Sequence, residues 1–497
     1  MKFFNTYSGQ LEEFKPLSGN KVGIYACGPT VYDYAHIGNF RTFVFEDLLR
    51  RFLEYKKFKV NHVMNVTDVD DKTIAGANKN AGAGLARHEG AETAPLQHLQ
   101  NYTKYYLNAF NEDLKTLNIL PPHKQPKATA EISAMLKLIE KLIEKKAAYV
   151  SDGSVYYRVD SFKNYGKLSK KDLKQNIKGA RVDRDEYAKE DGSDFALWKK
   201  AKEGEPAWDS PWGKGRPGWH VECSAMSMKY LGESFDIHAG GEDLIFPHHE
   251  NEIAQSEGAT GKPFVKYWLH AKHLLVNGEK MSKSKGNFYT LRDLLGKGYD
   301  PMAIRYVLLS VHYRSALNFT LDELTEAIRL ISRLRQCYRQ CLSSSKFGLG
   351  YQVRKENLEL NKYNLETLLQ DMMEAIENSL SNDLNISQAM ASVFEAVAHI
   401  NLGLSKKLME KSSLNSVFNF LKKLDDIFGL KISVQDPIPI EVLKRFDMRS
   451  NIRKNPNFKN DPSLRVLADS LRKEIENQGW QVLDSKPGEP SFIQKKI

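Results

Sequence analysis

Cys27, Cys223, His248 and Glu252 carry the side-chain chemistry of a zinc site although they lie far apart in the chain. Cys27 follows an apolar run and Cys223 precedes a helix-like run. In Pro247-His248-His249-Glu250-Asn251-Glu252 the residues His248 and Glu252 are four apart, so on a helix they share one face. Two thiolates, one imidazole and one carboxylate suit zinc. His249 and Glu250 are competing ligands that spacing does not exclude. His249 stands four before Ile253, which cannot ligate, so the pair His248/Glu252 is preferred.

Three further segments could hold a nucleotide. His36-Ile37-Gly38-Asn39 stands just before a helical pattern, where backbone N–H groups and the helix dipole favour an anion. His36 could donate to a phosphate there, and Gly38, without a side chain, permits close approach. In Lys280-Met281-Ser282-Lys283-Ser284-Lys285-Gly286-Asn287 two lysines three apart alternate with hydroxyls. Lys280 and Lys283 could neutralise charge that develops as pyrophosphate departs. In Gly240-Gly241-Glu242-Asp243-Leu244 the glycines fit under an adenine and Asp243 onto ribose hydroxyls. Taken singly, each segment also fits an ordinary turn or a solvated basic loop.

The elements that must position these residues are legible in part. Lys21 to Ala26 is a short β-rich run broken by Cys27-Gly28-Pro29-Thr30, as at a strand end. Phe40, Phe43, Val44, Leu48, Leu49 and Phe52 recur at helical spacing from Gly38 to Tyr55, and a second strand runs from Val60 to Val66. Open α/β sheets bind ligands at the carboxyl ends of their strands, so the expected class is α/β with a mainly parallel sheet. From about 121 to 210 the chain turns basic and turn-rich, with a helical run from Glu131 to Lys146 and a strand-like piece from Ser154 to Val159. It reads as an insertion. From about 320 the period is helical, with stripes such as Leu321, Leu324, Ile328, Ile331 and Leu334, which predicts an antiparallel bundle. A small module follows Pro437-Ile438-Pro439.

At 497 residues the chain is too long for one core and predicts several domains. No apolar run approaches a membrane span, and the start, Met1-Lys2-Phe3-Phe4-Asn5, lacks a signal-peptide core, so a cytoplasmic protein is expected. Four cysteines are too few for a disulfide framework; Cys337 and Cys341 read as two reduced thiols on a polar helix. The formal net charge of +10 is compatible with a polyanionic partner.

The chain resembles the cysteinyl-tRNA synthetases, a family of class I aminoacyl-tRNA synthetases. The resemblance is carried by Tyr25 to Asp33, His36 to Asn39, Asn65 to Lys72, Trp198 to Met226 (including Gly215-Arg216-Pro217-Gly218-Trp219-His220-Val221-Glu222-Cys223), Phe246 to Ser256, Lys280 to Asn287 and His312-Tyr313-Arg314. It thins after about 320 to Asn382-Asp383-Leu384-Asn385 and Ala468 to Arg472.

The resemblance implies a Rossmann-like catalytic domain split over 1–120 and 211–268, an inserted α+β domain at 121–210 and a lysine-loop connecting domain at 269–319. It also implies a helical tRNA-binding bundle at 320–435 and an anticodon-recognition module at 436–497. It implies zinc on Cys27, Cys223, His248 and Glu252, and ATP, with magnesium, at His36, Gly38, Asn39, Gly240, Gly241, Asp243 and Lys283. Gly28, Thr67, Trp219 and His238 match positions lining a cysteine pocket. Implied partners are L-cysteine, ATP and tRNA(Cys), with no membrane and a monomeric chain. Zinc would separate cysteine from serine, which shape alone discriminates poorly. The chain departs from the wider class in two places: Asn39 replaces a histidine, which gives His36 the larger role, and an acidic run is reduced to Ser381-Asn382-Asp383. Trp480, Arg472 and Asp484 are candidates for reading exposed bases. A small-amine cysteine ligase would lack the residues after 325, which speak for tRNA.

Overall fold

The computed structural model describes residues 1–81, 95–170, 192–346, 365–406, 409, 411–433, 440–458, 460–483 and 492–495. The chain divides into two compact units. One comprises 1–327, 370–395 and 426–430; the other comprises 328–369, 396–425 and 431–497.

In the first unit a short antiparallel pair, β1 (Lys2–Asn5) and β2 (Gln10–Glu13), precedes the central sheet. That sheet contains β3 (Lys21–Ala26), β4 (Lys59–Met64), β9 (Phe235–Gly241) and β10 (Val265–Ala271), in the order β10-β9-β3-β4, all parallel. Helix α1 (Ile37–Tyr55) crosses from β3 to β4. Its apolar residues Ile37, Phe40, Val44, Leu48 and Phe52 are buried, as the helical spacing predicts. The chain leaves β3 toward β4 on one side, whereas β9 lies on the other. The carboxyl ends of β3 and β9 therefore flank the crevice where the winding reverses, the place where such sheets bind ligands.

Between β4 and β9 come α2 (Asp71–Ala81), α3 (Pro95–Thr116) and α4 (Ile132–Glu144), then an antiparallel sheet of β5 (Ala148–Ser151), β6 (Ser154–Tyr157), β7 (Phe195–Lys200) and β8 (Gly215–Pro217). Its last strand lies beyond residue 210, the expected edge of the insertion. Helix α5 (Trp219–Leu231) leads into β9, and α6 (Glu250–Thr260) joins β9 to β10.

The segment after β10 forms a second small sheet: β11 (Leu274–Val276), β12 (Glu279–Lys280) and, beyond α7 (Leu291–Gly296) and α8 (Pro301–Leu309), β13 (Leu317–Phe319). Asp300 caps α8 by accepting from Met302 N, with Pro301 in the first turn. Buried Arg41 of α1 donates to the carbonyls of Leu308 at 2.8 Å, His312 at 3.1 Å and Ser315 at 2.9 Å, tying α1 to the turn after α8.

Asp383 is a structural centre rather than a surface charge. It is buried and accepts from Phe4 N at 2.8 Å, Tyr313 Oη at 2.6 Å and Arg314 Nε at 2.7 Å.

Helices α9 (Leu321–Lys346), α10 (Leu365–Ser381), α11 (Ile386–Ser405) and α12 (Lys411–Phe428) follow. In the second unit Leu334, Cys337, Cys341, Val417, Leu421 and Leu424 are buried; the two thiols are free, as expected of reduced thiols on a helix, and lie on its buried stripe. Helices α13 (Ile440–Lys454) and α14 (Pro462–Asn477) and the hairpin of β14 (Trp480–Leu483) and β15 (Phe492–Lys495) complete this unit. Trp480 packs with Val442, Ile475 and Val482 in their core, so its ring is not presented to a base. Arg472 holds Glu476 at 2.8 Å, and Asp484 lies outside the described residues. Among the described residues no helix is long and apolar enough to cross a membrane.

Candidate functional site

Each cysteine of the proposed ligand set is delivered by an element end. Cys27 follows β3, and Cys223 lies in the second turn of α5. His248 sits in the turn Ile245–His249 that runs into α6, and Glu252 in the first turn of α6. Gly28 is required beside Cys27, because a Cβ there would run into the carbonyl oxygen of Asn65; its own N–H donates to Asn65 Oδ1 at 2.8 Å.

The donor atoms of Cys27, Cys223, His248 and Glu252 all lie within 4.8 Å of one another. The two sulfurs are 3.9 Å apart, Cys27 Sγ is 3.9 Å from Glu252 Oε1, and His248 Nε2 is 3.1 Å from the same oxygen. A tetrahedron with zinc–sulfur bonds of about 2.3 Å has an edge of about 3.8 Å between sulfurs, and the nitrogen–oxygen edge is shorter. The donors therefore fit zinc in spacing as well as in type.

Of the competing ligands, Glu250 is turned away: its Oε2 accepts from Ser169 N at 2.8 Å. His249 stays within the cluster, with Nε2 at 3.4 Å from Cys27 Sγ, and forms a second donor group with Cys27, His238 and Glu252. That group lacks Cys223. The group holding both thiols takes His248.

Electrostatics reinforce the arrangement. Burial acts to raise the Cys223 thiol, but the hydrogen bond from Cys27 and the neighbouring His248 bring it down to about 6. Burial and then Cys223 push the Cys27 thiol well above its usual range. Burial opposes charge on His248, yet Cys223 and Glu252 raise it to about 10. Burial likewise opposes the Glu252 carboxylate, but His238 and His248 hold it at about 2. A thiolate, a carboxylate and a protonated His248 thus share a dry site, where a dication would take over the positive charge that the imidazolium supplies.

Sequence reasoning did not single out His220, and it gave His238 a place in the cysteine pocket rather than a role behind Glu252. His220 Nδ1 meets His248 Nδ1 at 2.9 Å, which leaves His248 Nε2 for the cluster. His238, expected in the cysteine pocket, is fully buried and bonds Glu252 Oε2 at 3.0 Å, so it positions the other carboxylate oxygen. Fully buried Glu222 accepts from Thr67 Oγ1 at 2.9 Å, and Asn65 Nδ2 donates to Thr67 Oγ1 at 3.3 Å. Trp219 lies over His248, ring centres 4.2 Å apart, and with 37% of its surface exposed it marks the open side.

The phosphate side is built differently. His36 caps α1: its Nδ1 accepts from Asn39 N at 3.2 Å, and Asn39 Oδ1 accepts from His36 N at 3.1 Å. The side chain of Asn39 therefore completes a capping box, which is where the departure at this position finds its use. With Nδ1 accepting, the neutral ring carries its proton on Nε2, and burial, opposed by Asp243, lowers the His36 pKa. At neutral pH His36 thus presents an N–H donor. Asp243 stands in the turn Glu242–Leu244 directly after Gly240 and Gly241, and it is exposed. The lysine loop packs against the histidine motif: a Cβ on Gly38 would come within 2.9 Å of Met281 Cε. Lys280 lies exposed on β12, and Lys283 Nζ pairs with Asp33 Oδ2 at 2.6 Å.

The chain matches two known families. Residues 13–329 match the tRNA synthetases class I (C) catalytic domain, and residues 375–433 match the DALR domain. Proteins named cysteine–tRNA ligase from Solibacter usitatus and Chlamydia muridarum are 48% and 45% identical to it, each aligned over 98% of both chains. This chain belongs to the cysteine–tRNA ligase family. Solved structures similar in fold include a Mycobacterium tuberculosis methionyl-tRNA synthetase with methionyl-adenylate, at 14% identity and a TM-score of 0.56, covering 82% of this chain and 90% of that one. An Agrobacterium radiobacter leucyl-tRNA synthetase complex has 12% identity and a TM-score of 0.58, with 85% of each chain covered.

Proposed function

We propose that the chain activates L-cysteine with ATP and transfers it to tRNA(Cys), as a monomer in the cytoplasm. The observation that supports this most directly is the buried pair of thiols with His248 and Glu252, set at the switch point beside the phosphate-binding motifs. Cys27, Cys223, His248 and Glu252 would hold zinc. When bound there, zinc supplies a soft Lewis acid that favours a sulfur ligand over a hydroxyl oxygen. Gly28, Thr67 and Trp219 surround the amino acid, and His238 fixes Glu252.

In the first step the cysteine carboxylate attacks the α-phosphorus of ATP, which enters with magnesium. A carboxylate–phosphorus bond forms and the bond to the β-phosphate oxygen breaks, giving cysteinyl-adenylate and pyrophosphate. His36 Nε2–H, Lys280 and Lys283 stabilise the charge that moves onto the phosphate oxygens. Gly38, Gly240 and Gly241 make room for Met281, His249 and Asp243 around the nucleotide, Asp243 takes the ribose hydroxyls, and Asn39 keeps His36 in place. In the second step a terminal ribose hydroxyl of the tRNA attacks the adenylate carbonyl and AMP leaves. The experiment is cysteine-dependent exchange of pyrophosphate into ATP, followed by charging of tRNA(Cys). Exchange driven by cysteine and not by serine is expected. Equal exchange with serine, or none with cysteine, refutes the reading.

A further inference from the structure

Beside the crevice the loop between β3 and α1 carries Tyr32 and Tyr34, and α3 brings Tyr102, Tyr105 and Tyr106 against it. Tyr34 Oη and Tyr105 Oη share a hydrogen bond of 2.6 Å, and Tyr102 Oη donates to the Tyr32 carbonyl at 2.6 Å. Tyr106 meets Tyr34, Tyr102 and Tyr105 edge-on, at centre distances of 5.3, 5.1 and 5.2 Å. Arg292 covers one face of Tyr34 at 5.1 Å and Lys72 lies 5.4 Å over Tyr32. Yet the rings are not sealed: Tyr105 is 47% exposed and Tyr32 38%. Large aromatic side chains normally bury their area, so two exposed rings on one aromatic cluster beside the proposed reaction centre call for an occupant.

The position of the cluster selects one. Tyr34 is two residues from His36, and Asp33, between exposed Tyr32 and half-buried Tyr34, is the partner of Lys283. If the adenylate forms beside His36, as proposed above, the terminal ribose of the tRNA has to come near this loop, and that end of a tRNA is unpaired. Unpaired bases are bound by stacking on aromatic rings whatever their sequence. Tyrosine suits this role, since the ring stacks while the hydroxyl stays hydrated. In the Tyr34–Tyr105 pair one phenol donates to the other, which leaves one phenolic hydrogen for a sugar or phosphate oxygen.

We propose that the exposed rings of Tyr32 and Tyr105, braced by Tyr34, Tyr102 and Tyr106, form a stacking platform for the unpaired nucleotides at the 3′ end of the tRNA. The proposal rests on tRNA charging, which the wild-type protein tests separately in the same assay.

The test compares Tyr105→Ala, Tyr105→Phe and Tyr32→Ala with wild type. Cysteine-dependent pyrophosphate exchange, which needs no tRNA, reports on the amino-acid site. The alanine variants are expected to keep exchange and to raise the KM for tRNA(Cys) about tenfold, within the range for losing one base stack. Tyr105→Phe keeps the ring and is expected near wild type. Binding is then measured with intact tRNA and with tRNA trimmed of its unpaired 3′ nucleotides. Trimming is expected to weaken wild type and to leave Tyr105→Ala little changed, because both remove the same interaction. Additive losses, normal charging by both alanine variants, or a parallel fall in exchange would overturn the proposal, the last by marking a structural role.

Discussion

The two halves of the crevice hold their charges in opposite ways. At its base Cys223, His248 and Glu252 are almost wholly buried, and their donors stand at fixed, short separations. At the phosphate side Lys280 and Asp243 are exposed, and Lys283 has 67% of its side chain in solvent. A buried donor set is expensive to leave unpaired, so it must be aimed by partners such as His220 and His238. Exposed lysines need no such support and can exchange one anion for another. Under the proposed reaction, selection of a thiol calls for the first kind of site, and a triphosphate that leaves as pyrophosphate calls for the second. Removing a group from the base should therefore abolish function outright, whereas exposed groups should alter rates or affinities by degrees.

The sharpest test is Cys223→Ser. Replacing a soft donor by a hydroxyl is expected to lower zinc content and to reduce cysteine activation by more than about a hundredfold, since loss of an outer partner alone costs 10–100-fold. Metal analysis with pyrophosphate exchange checks it; unchanged zinc and exchange would remove the site from the mechanism. The matching test on the other half is His36→Asn. Asparagine is a good N-cap, so α1 keeps its start while the Nε2 donor is lost. We expect kcat for activation to fall about 10²–10³-fold with zinc content unchanged. A loss of zinc in this variant would mean that the two halves are not independent.

A smaller effect concerns α1, the helix that starts at the phosphate side and runs beneath the sheet. Glu46 is buried, neither carboxylate oxygen has a hydrogen-bond partner among the described residues, and burial lifts its pKa well above 4.5. The folded protein therefore binds this proton more tightly than the unfolded chain. The resulting stability is complete below about pH 4.5 and is lost as pH rises toward the folded value. Glu46→Gln removes the titration. Its Tm should exceed that of wild type at pH 8 by at least about 2 °C, a shift expected for about 1 kcal/mol in a large domain, and the gain should vanish near pH 4. Thermal unfolding across that range decides; a gain independent of pH would deny Glu46 its buried proton.

What the sequence disclosed follows the same division. Strand Lys21–Ala26 and the helix carrying Phe40, Val44 and Leu48 are local patterns, and both stand where periodicity puts them. The partners that aim the donors are not local. Glu222 is next to Cys223 in sequence, but its meaning comes from Thr67, brought in from another strand end. His220 reads as one more polar residue until His248 is folded against it. Asn39 was expected on a phosphate because its neighbours were, and only backbone geometry reveals the capping box. Cys337 and Cys341 read as thiols on a polar helix because charged residues surround them in the sequence. In fact both fall on its buried stripe, one turn apart.

The mildest perturbation bears on the exposed half alone. Asp33 holds Lys283 at 2.6 Å, and chiefly through that hydrogen bond it raises the lysine pKa. Both partners are accessible, the carboxylate with 35% of its side chain exposed, so the pair is worth no more than about 1 kcal/mol. If Lys283 serves the triphosphate as proposed, the phosphates must first draw it away from Asp33. Asp33→Asn weakens that competition while preserving shape. The KM for ATP should fall by at most about fivefold, with kcat and the KM for cysteine little changed, and the difference should shrink as salt screens the pair. A rise in the KM for ATP would instead mean that Asp33 guides the lysine toward the phosphates, and the exposed half would then be as firmly organised as the buried one.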